Sequence, residues 1–349
     1  MVPDNAPANP SPFDNAPRAT PAQPAPQLQR LPQQQSSPQP AATPSPEQIP
    51  NAAKAKPVRE REVVTQLQIF LDQQNFGPGI IDGRWGEFTG KALVHYCRAH
   101  NLQITPNIYN ELPLDSVYPI YTEYTITEQD AKTIGPVPTQ PSEQAKMKRM
   151  PYVSLLEFLE ERYHASPDFL KKINYGKNLD ALKPGDIVRV PNVQPFKIED
   201  VKEVAQIPEK PEFAGRTIYI STKDKMLDLY DENKALIAAF PITPGSKSLP
   251  APQGVWQIVG IATMPWFRWD EAMLMHGERS SNFFNIPSGP NNPVGVLWAG
   301  LNKRGIGIHG TNTPETIGRA ASHGCIRLAN WDAIRFSEMI TKGMTVTIE

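Results

Sequence analysis

The sequence predicts a multidomain chain. A mainly β C-terminal domain with one late helix follows a small α+β module, a small helical module and a disordered Pro-rich N-terminus. Three observations predict it. At 349 residues the chain exceeds one ordinary domain. Its prolines are polarised, with 14 of 38 in the first 50 residues. The apolar residues recur at helical spacing in the first half and switch to two-residue alternation after about Phe213.

Residues 1–57 are Pro, Ala, Gln and Ser with few large apolar side chains. Such a segment cannot bury enough surface to offset its ordering entropy, so a mobile tether is expected. In residues 58–112, Val64, Leu67 and Leu71 lie at helical spacing, as do Phe88, Ala92 and Tyr96, around a run of turn formers from Asn75 to Gly86. Residues 113–150 read as a linker in which Tyr121 to Ile126 supplies a short strand to either neighbour. Residues 151–194 carry a helix capped by Ser154, a second started by Ser166-Pro167, and a strand from Ile187 to Val190 after the Lys183-Pro184-Gly185-Asp186 turn.

Residues 213–349 form the β domain. Strands are expected at Ile218–Ile220, Leu227–Leu229, Leu236–Ile242, Gly254–Ile258, Val294–Trp298, Ile306–His309, Cys325–Leu328 and Met344–Ile348. One helix is expected from an Asn330 cap, with Ala333, Phe336 and Ile340 on one face and Lys342-Gly343 at its end.

The net charge is −1 and no basic stripe is present, which argues against nucleic acid as a partner. No apolar run reaches 18 residues, so no membrane span is expected. The first residues lack the basic start and apolar core of a secretory signal. Two cysteines, Cys97 and Cys325, make a poor disulfide framework, and Cys97 reads as a small core hydrophobe.

The chemistry gathers near the C-terminus. His309-Gly310 is followed, after eleven residues, by Ser322-His323-Gly324-Cys325-Ile326-Arg327. Cys325 is the candidate nucleophile, because a thiol whose proton passes to imidazole attacks acyl groups. His323, two positions away on an extended strand, reaches the sulfur poorly. His309, on a neighbouring strand and directly opposite Cys325 at about 5 Å between Cβ atoms, is expected as the base.

His323 then shapes the site or assists the oxyanion. The Gly310 carbonyl is a candidate to orient the imidazole, and the N–H groups of Gly324 and Cys325 to face the oxyanion. A neighbouring imidazolium is expected to draw the thiol pKa from about 8.5 into the range of about 3.5–7.5. A zinc site of His309, His323 and Cys325 is the weaker reading, since His-x-Cys is not a usual zinc pair and no fourth ligand is in view. No metal or cofactor is expected.

His309-Gly310 with Ser322-His323-Gly324-Cys325-Ile326-Arg327 resembles the signature of the L,D-transpeptidase (YkuD-type) catalytic family. Pro252-x-Gly254-x-Trp256-x-Ile258 and Ile286 to Gly295 are similar to its flanking segments, and the likeness runs from about Arg216 to Ile348. It implies a β-sandwich type of catalytic domain. Cys325 would attack the third residue of a peptidoglycan tetrapeptide stem, release D-Ala, and pass the acyl group to an amine to give a 3→3 crosslink or to attach a protein to the wall.

Carbapenem-type β-lactams are implied as covalent inhibitors. An L,D-carboxypeptidase using the same thiol and a non-catalytic wall-binding scaffold are the alternatives. Arg327, Ser322, Trp266 and Trp269 are candidate substrate-binding residues, the tryptophans as part of an aromatic lid. Ile80-Ile81-Asp82-Gly83-Arg84-Trp85-Gly86 resembles the turn of the helical peptidoglycan-binding module. Lys183-Pro184-Gly185-Asp186-Ile187-Val188-Arg189-Val190-Pro191 resembles the LysM fold, although its usual Gly-Asp-Thr-Leu turn is replaced by Met150-Pro151-Tyr152-Val153. These likenesses imply glycan strands and stem peptides as partners and a periplasmic or envelope location.

Overall fold

Two amphipathic helices open the folded part of the chain, α1 (Arg61–Gln73) and α2 (Glu87–Ala99), with Val64, Leu67, Leu71, Ala92 and Tyr96 buried as their spacing predicts. The computed structural model describes residues 61–106, 108–246, 249–319 and 324–349; the expected tether at 1–57 lies outside the described residues. Between the helices the chain turns at Gly83, in the left-handed region at φ 64°. Gln68 holds this turn, accepting from the backbone N–H of Asp82 and Gly83 and donating to the Asp82 carboxylate.

The stretch 113–150, expected as a linker, contains β1 (Tyr121–Thr125), α3 (Glu128–Ala131) and α4 (Pro141–Gln144). Next come α5 (Leu155–Arg162) and α6 (Pro167–Ile173), capped by Ser154 and Ser166 as expected, and β2 (Ile187–Pro191). β1 pairs antiparallel with β2, so the strand offered to either neighbour is taken by the α+β unit. A lone edge of β2 would leave its ladder unpaired, and β1 satisfies it across a long insertion.

The C-terminal domain supplies β3 (Thr217–Ser221), β4 (Met226–Tyr230), β5 (Leu236–Pro241), β6 (Thr243–Pro244), β7 (Gly254–Thr263) and β8 (Phe267–Trp269). After α7 (Glu271–His276) follow β9 (Phe284–Ile286), β10 (Leu297–Leu301), β11 (Gly307–His309), β12 (Ile326–Arg327), α8 (Asn330–Met339) and β13 (Thr345–Ile348). Among the described residues, nine strands join in the order β5-β4-β3-β13-β7-β10-β11-β12-β6. The expected sandwich of two layers is therefore one continuous sheet. The reason is β7, whose first residues pair with β13 and whose later residues pair with β10. Ala333 and Phe336 are fully buried on the expected face of α8, and Ile340, buried as well, is the residue just past its end.

Asn330 is not the cap of that helix. Ala329 holds the cap position, Asn330 is the first helical residue, and its side chain is spent on tertiary partners. The helix ends at Met339, ahead of the expected Lys342-Gly343 stop.

The N-terminal units dock on this sheet. The chain after α1 pairs with the outer edge of β5, where Ala239 exchanges hydrogen bonds with Asn75 and Gly77. That contact covers an edge that would otherwise invite association. Buried Asp72 meets Arg335 of α8 at 2.8 Å and His164 at 3.1 Å, and His164 stacks on Trp331 at 4.9 Å. Met150 donates its N–H to the Ser288 carbonyl, and Asn291 donates to Glu157 and to the Pro151 carbonyl.

Candidate active site

β11 is central to the site. It pairs antiparallel with β10, placing His309 opposite Trp298, and parallel with β12, placing His309 opposite Arg327 and Ile308 opposite Ile326. Cys325 precedes β12 and so stands beside Gly307. The expectation that His309 lies directly opposite Cys325 is corrected by two residues of register. Because side chains two apart share a face, the imidazole and the sulfur still face the same way, on a diagonal.

His309 is held by two contacts. Its ring stacks on Trp298 with centroids 5.6 Å apart, and it is 5% exposed. Nδ1 lies 2.6 Å from the Gly310 carbonyl oxygen. A carbonyl only accepts, so Nδ1 carries the proton and Nε2 is the acceptor. Gly310 has no room for a side chain: a Cβ there would stand 2.2 Å from Asn330 Oδ1. Gly324 is in the left-handed region at φ 94°.

The sulfur of Cys325 sits 3.5 Å from the Gly305 carbonyl oxygen. Burial pushes the thiol up to about 11, against the lowering pull of a Gly307 backbone hydrogen bond and the Arg327 charge. Burial pushes His309 down to about 3, reinforced by Arg327 and opposed by the Gly310 carbonyl. The expected depression of the thiol pKa is thus reversed, because desolvation penalises both members of a thiolate–imidazolium pair. At neutral pH the resting pair is a thiol beside a neutral imidazole.

Both residues line a cleft of about 1130 Å³, together with Gly324, Arg327, Trp298 and Trp269. Arg268, Arg279, Lys303 and Arg304 add positive charge to its walls, against one carboxylate, Asp270, among the described lining residues. Trp266 is not among the lining residues; its indole N–H donates to Glu203 at 3.1 Å. Ser322 and His323 lie outside the described residues. No group of three or more His, Cys, Asp or Glu among the described residues is arranged to hold a metal.

One wall, beyond the Trp269 expected in an aromatic lid, was not legible in the sequence. β8 and β9 pair as a ribbon with α7 inserted between them, and Met273 and Leu274 of α7 line the cleft. Asp270 ties this insertion down: its carboxylate accepts from the Met273 N–H, from the Ser280 N–H and hydroxyl, and from Arg268. An Asp before a short helix signals a cap, but its bonds to Ser280, ten residues on, follow only from the fold.

The family description for the L,D-transpeptidase catalytic domain, YkuD, matches residues 215–348. The C-terminal region is an L,D-transpeptidase catalytic domain. This chain is 25% identical to YkuD of Bacillus licheniformis over 193 residues, 55% of this chain and 92% of the relative. To YkuD of Bacillus subtilis it is 45% identical over 64 residues, 18% of this chain and 39% of the relative. Among solved structures, the L,D-transpeptidase LdtMt1 in complex with imipenem shares 14% identity, over 48% of this chain and 76% of that one, with a TM-score of 0.31. The L,D-transpeptidase resemblance expected from about Arg216 to Ile348 is met over nearly the same residues.

Proposed function

We propose that this chain is a cysteine-dependent L,D-transpeptidase that forms 3→3 crosslinks between peptidoglycan stems. The observation that carries this reading is the placement of Cys325 and His309 on one face of adjacent strands, lining one cleft, with Nδ1 of the base engaged and Nε2 left to accept. A neutral thiol and a neutral imidazole suit a mechanism in which the proton moves as the sulfur attacks.

The Cys325 proton passes to His309 Nε2 while Sγ bonds to the carbonyl carbon of the third stem residue. The N–H groups of Gly324 and Cys325 face the oxyanion, with His323 assisting. The C–N bond to D-Ala then breaks, and the imidazolium returns the proton to the departing amine. A side-chain amine of a second stem attacks the thioester, its proton goes to His309, and the thiol is restored. The cationic walls suit a donor whose stem carries several carboxylates, and Arg327 and Trp269 contact it. A strained β-lactam carbonyl of the carbapenem type acylates the same sulfur.

Residues 58–112 and 151–194 hold glycan strands, in keeping with their peptidoglycan-binding-like and LysM-like patterns. A peptidoglycan substrate supports a periplasmic or envelope location as part of this reading. Incubation of sacculi with the full chain and with Cys325→Ala, followed by muropeptide analysis, tests the reading. New 3→3 dimers made only by the unsubstituted chain are expected. Tripeptides without dimers would make it an L,D-carboxypeptidase, and no change would leave a wall-binding scaffold.

A further inference from the structure

Glu161 sits on α5, in the α+β unit, far from the cleft in sequence, yet it is 5% exposed and faces the catalytic domain. One carboxylate oxygen accepts a hydrogen bond from the Tyr152 hydroxyl. The other accepts from Asn330 Nδ2 at 2.6 Å, across a separation of 169 residues. Asn330 is fully buried at the start of α8, and its Oδ1 accepts from the Val296 N–H at 3.2 Å. An amide pinned at both ends cannot turn over: reversal would set its NH₂ against the Val296 N–H and its oxygen against the Glu161 oxygen.

The oxygen of that pinned amide lies close against the backbone next to His309. A Cβ at Gly310 would stand 2.2 Å from Asn330 Oδ1, and a Cβ at Gly295 would stand 2.0 Å away. The Gly310 carbonyl is the acceptor for His309 Nδ1 at 2.6 Å. A continuous set of contacts thus runs from Tyr152 and Glu161, through Asn330, to the carbonyl that fixes the tautomer and plane of the imidazole. Within the catalytic domain alone, Asn330 Nδ2 would lose its acceptor and the amide its reason to stay put.

We propose that Glu161 and Asn330 are positioning residues for the catalytic base, so that the α+β unit completes the active site as well as standing beside it. This rests on the assignment of His309 as base and Cys325 as nucleophile. The role needs a hydrogen-bond acceptor at Glu161 Oε1 and does not need its charge. Gln at 161 keeps an amide oxygen for Asn330 and offers its NH₂ to the Tyr152 oxygen. Leu removes the acceptor at similar volume, and Asp keeps the carboxyl but falls short by one methylene.

The test is the rate and stoichiometry of Cys325 acylation by imipenem, read by intact mass on the full-length chain. Stoichiometry counts folded sites, and the rate constant per site reports the base. Glu161→Gln is expected within about threefold of the unsubstituted rate. Glu161→Leu is expected to acylate to the same final extent at least about tenfold more slowly, since misplacing a catalytic group by an ångström costs up to about a hundredfold. Glu161→Asp, which preserves the buried carboxyl, is expected to be slowed similarly and serves if the Leu variant does not fold.

The inference is overturned if Glu161→Leu or Glu161→Asp reacts at the unsubstituted rate per site. It is equally overturned if Glu161→Gln is as slow as Leu, which would mean that charge or packing mattered and the acceptor did not. Failure of the unsubstituted chain itself to acylate at Cys325 is a different result: it removes the assignment of the nucleophile, and this inference with it.

Discussion

Burial acts on the proposed nucleophile and base in opposite directions, raising the thiol of Cys325 to about 11 and lowering the imidazole of His309 to about 3. Both are therefore neutral through the physiological range, and thiolate forms only as pH climbs towards the thiol value. In a Cys97→Ser background, alkylation of Cys325 by iodoacetamide is expected to rise about tenfold per pH unit from pH 6 to pH 9. A plateau reached below pH 7 would show a thiolate already formed. His309→Ala is expected to slow acylation by about a hundredfold or more, the usual worth of a positioned base. Gly310→Ala drives a Cβ into Asn330 and is expected to cost about 1–3 kcal/mol in chemical denaturation, with slowed acylation.

At the scale of elements, the wall built from β8, α7 and β9 hangs on Asp270, whose carboxylate accepts four hydrogen bonds within the insertion. Asp270→Ala is expected to loosen residues 270–283 while leaving the nine-stranded sheet intact. Amide exchange should then quicken in that segment alone. The longer β strands and the face of α8 were legible because alternation and helical spacing are local signals, whereas β6, β8 and β9 are too short to show alternation. The register of β11 on β12 was not, since parallel pairing depends on how the intervening residues fold, and it moved His309 by two positions from Cys325. Asn330 shows the same limit. Its place before an apolar helical run looks like a cap, and only the neighbouring Glu161 and Val296 N–H reveal what its amide does.

Across the whole molecule, the small units are fastened to the catalytic domain by buried polar contacts that no stretch of sequence announces. Asp72, His164 and Arg335 come from three different units and meet in the interior. Burial alone would raise the Asp72 carboxyl, but Arg335 and His164 outweigh it and hold it well below the usual carboxylate range. A lowered carboxylate contributes stability at pH values above its unfolded pKa, about 3.9, and that contribution is lost as pH falls through the folded value. Arg335→Met leaves the charge buried without its main partner and is expected to destabilise the fold by about 3 kcal/mol at pH 7, read by thermal or chemical melts. The expected loss narrows as the pH is lowered below 4.

The stretch 113–150 read as a linker for the same reason: β1 has its partner more than sixty residues away, in β2. The family likeness was legible because its motif is contiguous in sequence, whereas the contacts around the candidate site are not.

The most direct measurement is the intact mass of the full-length protein mixed with a disaccharide-tetrapeptide. The mechanism predicts a transient adduct equal to the donor less D-Ala, mapped by peptide fragmentation to Cys325 and absent from Cys325→Ala. An adduct that persists in Cys325→Ala, or crosslinked product formed without any adduct on that sulfur, would contradict it.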